Sequence, residues 1–274
     1  GIPAYERGNL THDVLERFWR EVKNSTALAA LSNDELNELL DKIIKDCLSS
    51  LAISTSASPV IPANAGISMR ICQPEEISYS CSGVQVRDDT GHHKTLKSAL
   101  LQIEKQRLKS LLITWLNSEK KRSPFTVTAL ESSQKITIAS ITFKLRIDRI
   151  DTLADGQTLL IDYKTGSNSI KNWFGTRPND PQLPLYLFGE GHFNAMAFAE
   201  INTKHCHFKG LADTETTAGA LPDIKPIEKF TKGTTWHDQK TTWQDTLNTL
   251  VTEFETGLAS VTPADPNTSC TYCD

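Results

Sequence analysis

Apolar positions in the first fifty residues recur with a helical period. Leu10, Val14, Leu15, Phe18 and Trp19 fall at i, i+4, i+5, i+8 and i+9, one broad face of a helix. A second helix is predicted to start at Ser32, because Ser32-Asn33-Asp34-Glu35 has the S-x-x-E form of a capping box and precedes Leu36, Leu39, Leu40, Ile43 and Ile44. From 48 to 94 no period is sustained and Ser, Pro, Gly and Asn dominate. Helical spacing returns over 96–117 with Leu100, Leu101, Leu108, Leu111, Leu112 and Trp115. The period then switches from 3.6 to 2. Segments 125–130, 135–151 and 158–165 read as strands, the last two joined by a turn at Ala154-Asp155-Gly156. A short helix is predicted over 181–189 despite Pro184, then a strand over 195–202 and a Gly/Pro/Thr-rich loop over 211–235. A final helix over 237–257 places Trp243, Leu247, Leu250, Val251 and Phe254 on one face. This order predicts an α/β fold with helices around one central sheet.

Composition narrows the class. The 274 residues are 38% hydrophobic and 23% charged, ordinary for a globular chain. No apolar run approaches the roughly 18 residues of a membrane span. Six cysteines are too few for a disulfide scaffold of this length. The opening GIPAYERGNL has no Met, basic region or apolar core, so a cytoplasmic protein without a secretory leader, and a fragment of a longer chain, are expected. A net charge of −4 speaks against binding nucleic acid by bulk charge. The 48–94 stretch is long for a loop, and its VIPANAGI string (60–67) resembles translated repeat elements of bacterial genes, so a surface insertion is expected.

The chemistry-bearing stretch is KLRIDRIDTLADGQTLLIDYKTG, 144–166. Asp162 and Lys164 share one face of a strand because side chains alternate. A carboxylate beside an ammonium suits a site where a divalent metal is held by acidic ligands and a lysine steers or deprotonates water. The upstream partner depends on hairpin register. A three-residue loop at 154–156 pairs Leu153 with Gln157 and sets Asp148 opposite Asp162; facing carboxylates repel unless a cation such as Mg²⁺ is shared. A two-residue loop at 155–156 would bring Asp151 to that face instead, opposite Leu160.

An Asp, then D-Y-K-T-G (162–166), then Q-L-P-L-Y (182–186), with a leading RGNLTHDVLERFW helix, resembles the RecB-like and AddB-like branch of the PD-(D/E)XK nucleases, especially the bacterial DNA repair type. The likeness covers about 5–30, 125–202 and 237–273. It implies one nuclease domain over 1–274, with a mixed sheet of about five strands flanked by helices. The implied reaction is Mg²⁺- or Mn²⁺-dependent phosphodiester hydrolysis of DNA, by an exonuclease of repair and recombination. The implied metal ligands are His12, Asp148, Asp162 and the carbonyl of Tyr163, which selects Asp148 over Asp151; Lys164 is the implied catalytic lysine, supported by Gln182 and Tyr186. A helicase or helicase-like partner is implied too. The alternative is a weak or inactive nuclease-fold module that binds DNA or such a partner. Leu145 stands where many relatives have Gly, with little effect expected in a strand.

Relatives holding an iron–sulfur cluster use four cysteines. Here Cys270 and Cys273 supply two, and no Cys precedes His12, so a cluster would be incomplete in this sequence. The pair is expected to be a remnant of one present in a longer protein. Asp151 is expected to pair with Arg149 or Arg146, and Glu16 to be solvated or ion-paired. His205-Cys206-His207 lacks a convincing further ligand pair for zinc and reads as a plain strand end. The strongest positive run sets Lys105, Arg107, Lys109, Lys120, Lys121 and Arg122 against Glu104 and Glu119. Lys105, Lys109, Lys120, Lys121 and Arg122 are the candidate DNA contacts, the competing reading being a solvated helix face.

Overall fold

A computed structural model describes residues 3–54, 90–258 and 260, the side chains of 51–54 and 90–98 excepted. Four helices lead, α1 (Ala4–Val22), α2 (Ser25–Ala30), α3 (Asn33–Ser54) and α4 (Thr90–Glu119). Strands β1 (Phe125–Ile138), β2 (Ile141–Leu153) and β3 (Thr158–Lys164) follow, then a 3-10 turn at Ile170–Trp173 and the short helix α5 (Gln182–Tyr186). The chain continues through β4 (Ala195–Ile201), β5 (Cys206–Ala212), α6 (Glu215–Ala218), β6 (Lys225–Pro226), α7 (Ile227–Thr231) and α8 (Trp236–Glu255).

The strands form one mixed sheet in the order β1-β2-β3-β4-β5-β6, parallel at β3–β4 and β5–β6 and antiparallel elsewhere. One face packs Leu159, Ile161 and Ala197 under Leu15, Phe18 and Trp19 of α1, Leu40 of α3 and Leu112 and Trp115 of α4. The other packs Leu160, Met196 and Phe198 under Trp173, Leu183 of α5 and Trp243 and Leu247 of α8. All seven residues of β4 are buried, as expected of a central strand covered on both faces. The α/β layering is the expected one, with six strands in the sheet.

Local chemistry accounts for the element ends. Ser32 and Glu35 form the reciprocal cap of α3: the Ser32 N–H donates to Glu35 Oε2 at 2.8 Å and the Glu35 N–H to Ser32 Oγ at 3.2 Å. Pro184 is tolerated because it lies in the first turn of α5, where a backbone N–H has no helical partner. The β2–β3 turn closes with the Leu153 N–H donating to the Gln157 carbonyl at 2.8 Å, and Gly156 takes the positive φ (86°) this turn needs.

Three expectations are corrected. The 135–151 stretch is not one strand: Ile138 pairs with Ile141, and Ala139-Ser140 makes a hairpin turn with φ +50° at Ala139. The Ser140 N–H is fastened at 2.8 Å to Glu255 at the end of α8. The 211–235 loop carries the end of β5, then α6, β6 and α7. The 48–94 segment is helical at its margins, since α3 runs to Ser54 and α4 begins at Thr90; residues 60–67 lie outside the described ones.

Candidate active site

The site forms where β2 and β3 stop pairing. Their ladder runs from Thr152–Thr158 to Arg149–Ile161, the register of the three-residue loop. One step further Asp148 and Asp162 would face each other. There the Asp148 side chain replaces the ladder: its Oδ2 accepts from the Tyr163 N–H at 2.8 Å. The Tyr163 carbonyl is taken by His12 Nε2 of α1 at 2.9 Å, and His12 Nδ1 lies 3.4 Å from Asp148 Oδ2. Backbone groups that would have bound a neighbouring strand are thus held by side chains, and β2 is free to diverge.

On the other side of β3, Lys164 Nζ donates to Gln182 Oε1 at 2.8 Å and lies 2.8 Å from Asp162 Oδ2. Gln182 Nε2 donates to Asp162 Oδ1 at 3.0 Å and Tyr186 Oη at 2.7 Å, and Tyr186 Oη donates to the Arg146 carbonyl at 2.8 Å. Gln182 and Tyr186 sit one helical turn apart on α5, so one side of a short helix aligns the lysine and braces β2. Burial and the nearby Asp148 push the Asp162 carboxyl up from its ordinary range. Burial opposes the charge of Lys164, but Asp162 outweighs it and keeps the ammonium protonated well above neutral pH.

Among the described residues, the potential metal ligands lying within 4.8 Å of one another are His12, Glu131 and Asp148. Glu131 was absent from the sequence reading. It falls between the β1–β2 pairs Leu130–Arg149 and Ser132–Ile147, so it lies opposite Asp148. A φ of +49° marks Glu131 as irregular within its strand. Burial first, then the charge of Asp148, push its carboxyl up. Burial of His12 disfavours its charge, but the hydrogen bond and charge of Asp148 dominate and hold its pKa up at about 9. At neutral pH the ring is therefore an imidazolium with both nitrogens directed at oxygens. Carboxyls raised by burial and then by the charge of Asp148, and a proton held between oxygen donors, are what a divalent cation would relieve, so this donor set fits one. Asp162 is outside that group of three; its two oxygens are engaged by Lys164 and Gln182.

Behind Asp148 lies a second ionic cluster. Arg149 Nε and Nη2 reach Asp151 at 2.6 and 2.8 Å, and its Nη1 reaches Glu119 at 2.8 Å and Tyr163 Oη at 3.1 Å. Arg122 joins Glu119 at 2.5 Å and Asp151 at 2.8 Å. The guanidinium of Arg149 lies 4.1 Å from the Trp19 ring centroid, and that of Arg122 lies 4.0 Å from Phe125. Asp151 is thus the anchor of a buried network.

Four of the five candidate cationic DNA contacts are engaged by the protein itself. Arg122 has no exposed side-chain surface. Lys105 and Lys109 are both tied to Asp41 of α3, at 2.9 and 2.6 Å, and Lys120 donates to the Leu31 carbonyl at 3.1 Å. Of the five, Lys121 is the exposed one. The His205 and His207 rings lie with centroids 5.2 Å apart and planes tilted by 57°, and His207 lies 3.4 Å from buried Glu200. Cys270 and Cys273 lie outside the described residues.

A mixed sheet between two helical layers thus gathers an aspartate, a lysine and further oxygen donors where two strands part. The sequence matches the PD-(D/E)XK nuclease superfamily over residues 2–274, and the chain belongs to that superfamily. No curated protein matches it at a significant level. No described helix is long and apolar enough to cross a membrane.

Proposed function

We propose that this chain is a Mg²⁺- or Mn²⁺-dependent deoxyribonuclease of the RecB-like and AddB-like branch, an exonuclease of cytoplasmic DNA repair and recombination. The observation that carries the reading is the convergence of Asp162, Lys164 and Gln182 with His12, Glu131 and Asp148 at the point where β2 leaves β3. A longer protein with a helicase-like partner and an iron–sulfur cluster completed outside this sequence belongs to the same reading. It rests on the motifs of 144–186 and on Cys270 and Cys273.

His12, Glu131, Asp148 and the Tyr163 carbonyl would hold the cation, with Asp162 beside them. A bound Mg²⁺ or Mn²⁺ supplies Lewis-acid stabilisation of negative charge on the phosphoryl oxygens. His12 must first release the proton it holds at neutral pH, since only a neutral imidazole ligates. Lys164, whose ammonium is favoured by Asp162, is placed to orient the attacking water and to face the charge that develops on the phosphate. Gln182 fixes the ammonium by accepting from it while donating to Asp162. Attack of water forms a new P–O bond as one ester P–O bond breaks; the water gives up a proton to solvent and the leaving oxygen takes one up, leaving a phosphate monoester and a free hydroxyl. Linear single-stranded DNA should be degraded with Mn²⁺ and spared with chelator, and Asp162→Ala should abolish degradation. Unchanged Mn²⁺-dependent degradation by that variant contradicts the assignment.

A further inference from the structure

We propose that Arg146 is a substrate-binding residue that exchanges partners, clasping Glu131 when the site holds no metal and turning to a DNA phosphate when a cation takes Glu131. The inference rests on the metal-site reading above and extends it to the phosphate contact that the paired lysines do not supply.

Arg146 Nε is ion-paired with Glu131 Oε2. The Arg146 side chain is 63% exposed while that of Glu131 is only 11% exposed, so the arginine is the solvent-facing partner and the carboxylate the inward one. The backbone at Arg146 is held, because its carbonyl accepts from Tyr186 Oη. Only the side chain is free to swing, about a point fixed by the same α5 residue that braces Gln182. Glu131 belongs to the group of potential ligands within 4.8 Å of one another. A carboxylate shared with a dication attracts a guanidinium less, and the guanidinium is then left with unmet donors beside the place the phosphate must occupy. Its planar fork suits paired phosphate oxygens. Among the described residues, the cations in contact with Asp148 and Asp162 are committed: Lys164 to Gln182 and Asp162, and His12 to Asp148 and the Tyr163 carbonyl.

The exchange predicts effects of opposite sign. In Arg146→Ala, calorimetric titration with Mn²⁺ alone should give severalfold tighter binding than in the wild type, since a competing cation has been removed from Glu131. Binding of a short single-stranded DNA, measured with Ca²⁺ in place of Mn²⁺, should weaken about tenfold, and its logarithmic salt slope should fall by about one. Glu131→Gln, in chelator, should bind DNA severalfold tighter than the wild type through the freed Arg146, and adding Arg146→Ala should remove that gain. Unchanged DNA affinity and salt slope in Arg146→Ala, or weaker Mn²⁺ binding by it, overturns the exchange while leaving the metal site standing. Wild-type protein that binds no Mn²⁺ overturns the metal site, and the exchange with it.

Discussion

Asp148 and Arg149 are adjacent on β2, yet they anchor ionic clusters of different kinds. Around Arg149 two guanidinium groups meet two carboxylates, each carboxylate touching both arginines, and none of the four side chains has exposed surface. Arginine stays charged at any relevant pH, so this set is dry, closed and permanent. Around Asp148 the cations are an imidazolium and an arginine at the surface, 30% and 63% exposed. Each can leave, one by losing a proton and the other by swinging out. The closed cluster joins α4 to β2 and reaches the Tyr163 hydroxyl; the open one has its charges placed for exchange. The two are coupled through Tyr163, whose ring end is held by Arg149 and whose backbone faces His12 and Asp148.

Opening the closed cluster should have the largest effect. Glu119→Gln leaves buried guanidinium charge without its partner and should lower stability by about 3–5 kcal/mol in urea unfolding. A loss below about 1 kcal/mol would mean the cluster is not the dry structural unit described. Lys164→Ala acts on the open site and should cut the cleavage rate by roughly 10²–10³ with little loss of stability, read by steady-state kinetics beside a melting curve.

The pH response separates the clusters further. The His12 pKa is raised from 6.5 to about 9, so its contribution to metal-free stability is full below 6.5 and is lost as pH rises through about 9. Asp162, raised by burial and Asp148, adds in the same direction, because a carboxyl that prefers its proton in the folded state costs stability once ionised. Metal-free protein should therefore melt at lower temperature as pH climbs from 5 to 9, and Asp162→Asn should flatten that fall. Mn²⁺ affinity should rise toward about tenfold per pH unit below 9, with about one proton released per ion, checked by calorimetry in buffers of different ionisation enthalpy. The smallest effect concerns the α4 lysines. Lys105→Ala and Lys109→Ala should leave DNA affinity within about twofold, because both ammonium groups are spent on Asp41.

What was legible in the chain was what local spacing encodes. The apolar stripe of α1, the Ser32–Glu35 cap, the 154–156 turn and the pairing of Asp162 with Lys164 on one strand face all follow from periods and turn chemistry within a few residues. The Ala139-Ser140 turn was not legible because it uses no Gly or Asn and interrupts an otherwise alternating run. That omission hid Glu131: only once Ile138 is paired with Ile141 does 131 fall opposite 148. The α4 lysines look free in one dimension because their partner, Asp41, is 68 residues from Lys109 and meets it only when α3 packs on α4. The Arg149–Asp151 pair was legible, as two residues on one strand face, but the links from these two to Glu119 and Arg122 were hidden for the same reason, since partners on other elements leave no local signature.

The open cluster at Asp148 is the proposed divalent-cation site. Calorimetric titration of the wild type and of Asp148→Asn with Mn²⁺ at pH 8 tests it most directly. Saturable binding in the wild type, weakened by at least about tenfold in the variant, is the predicted result. Equal affinity in the two proteins, or no binding in either, would contradict it.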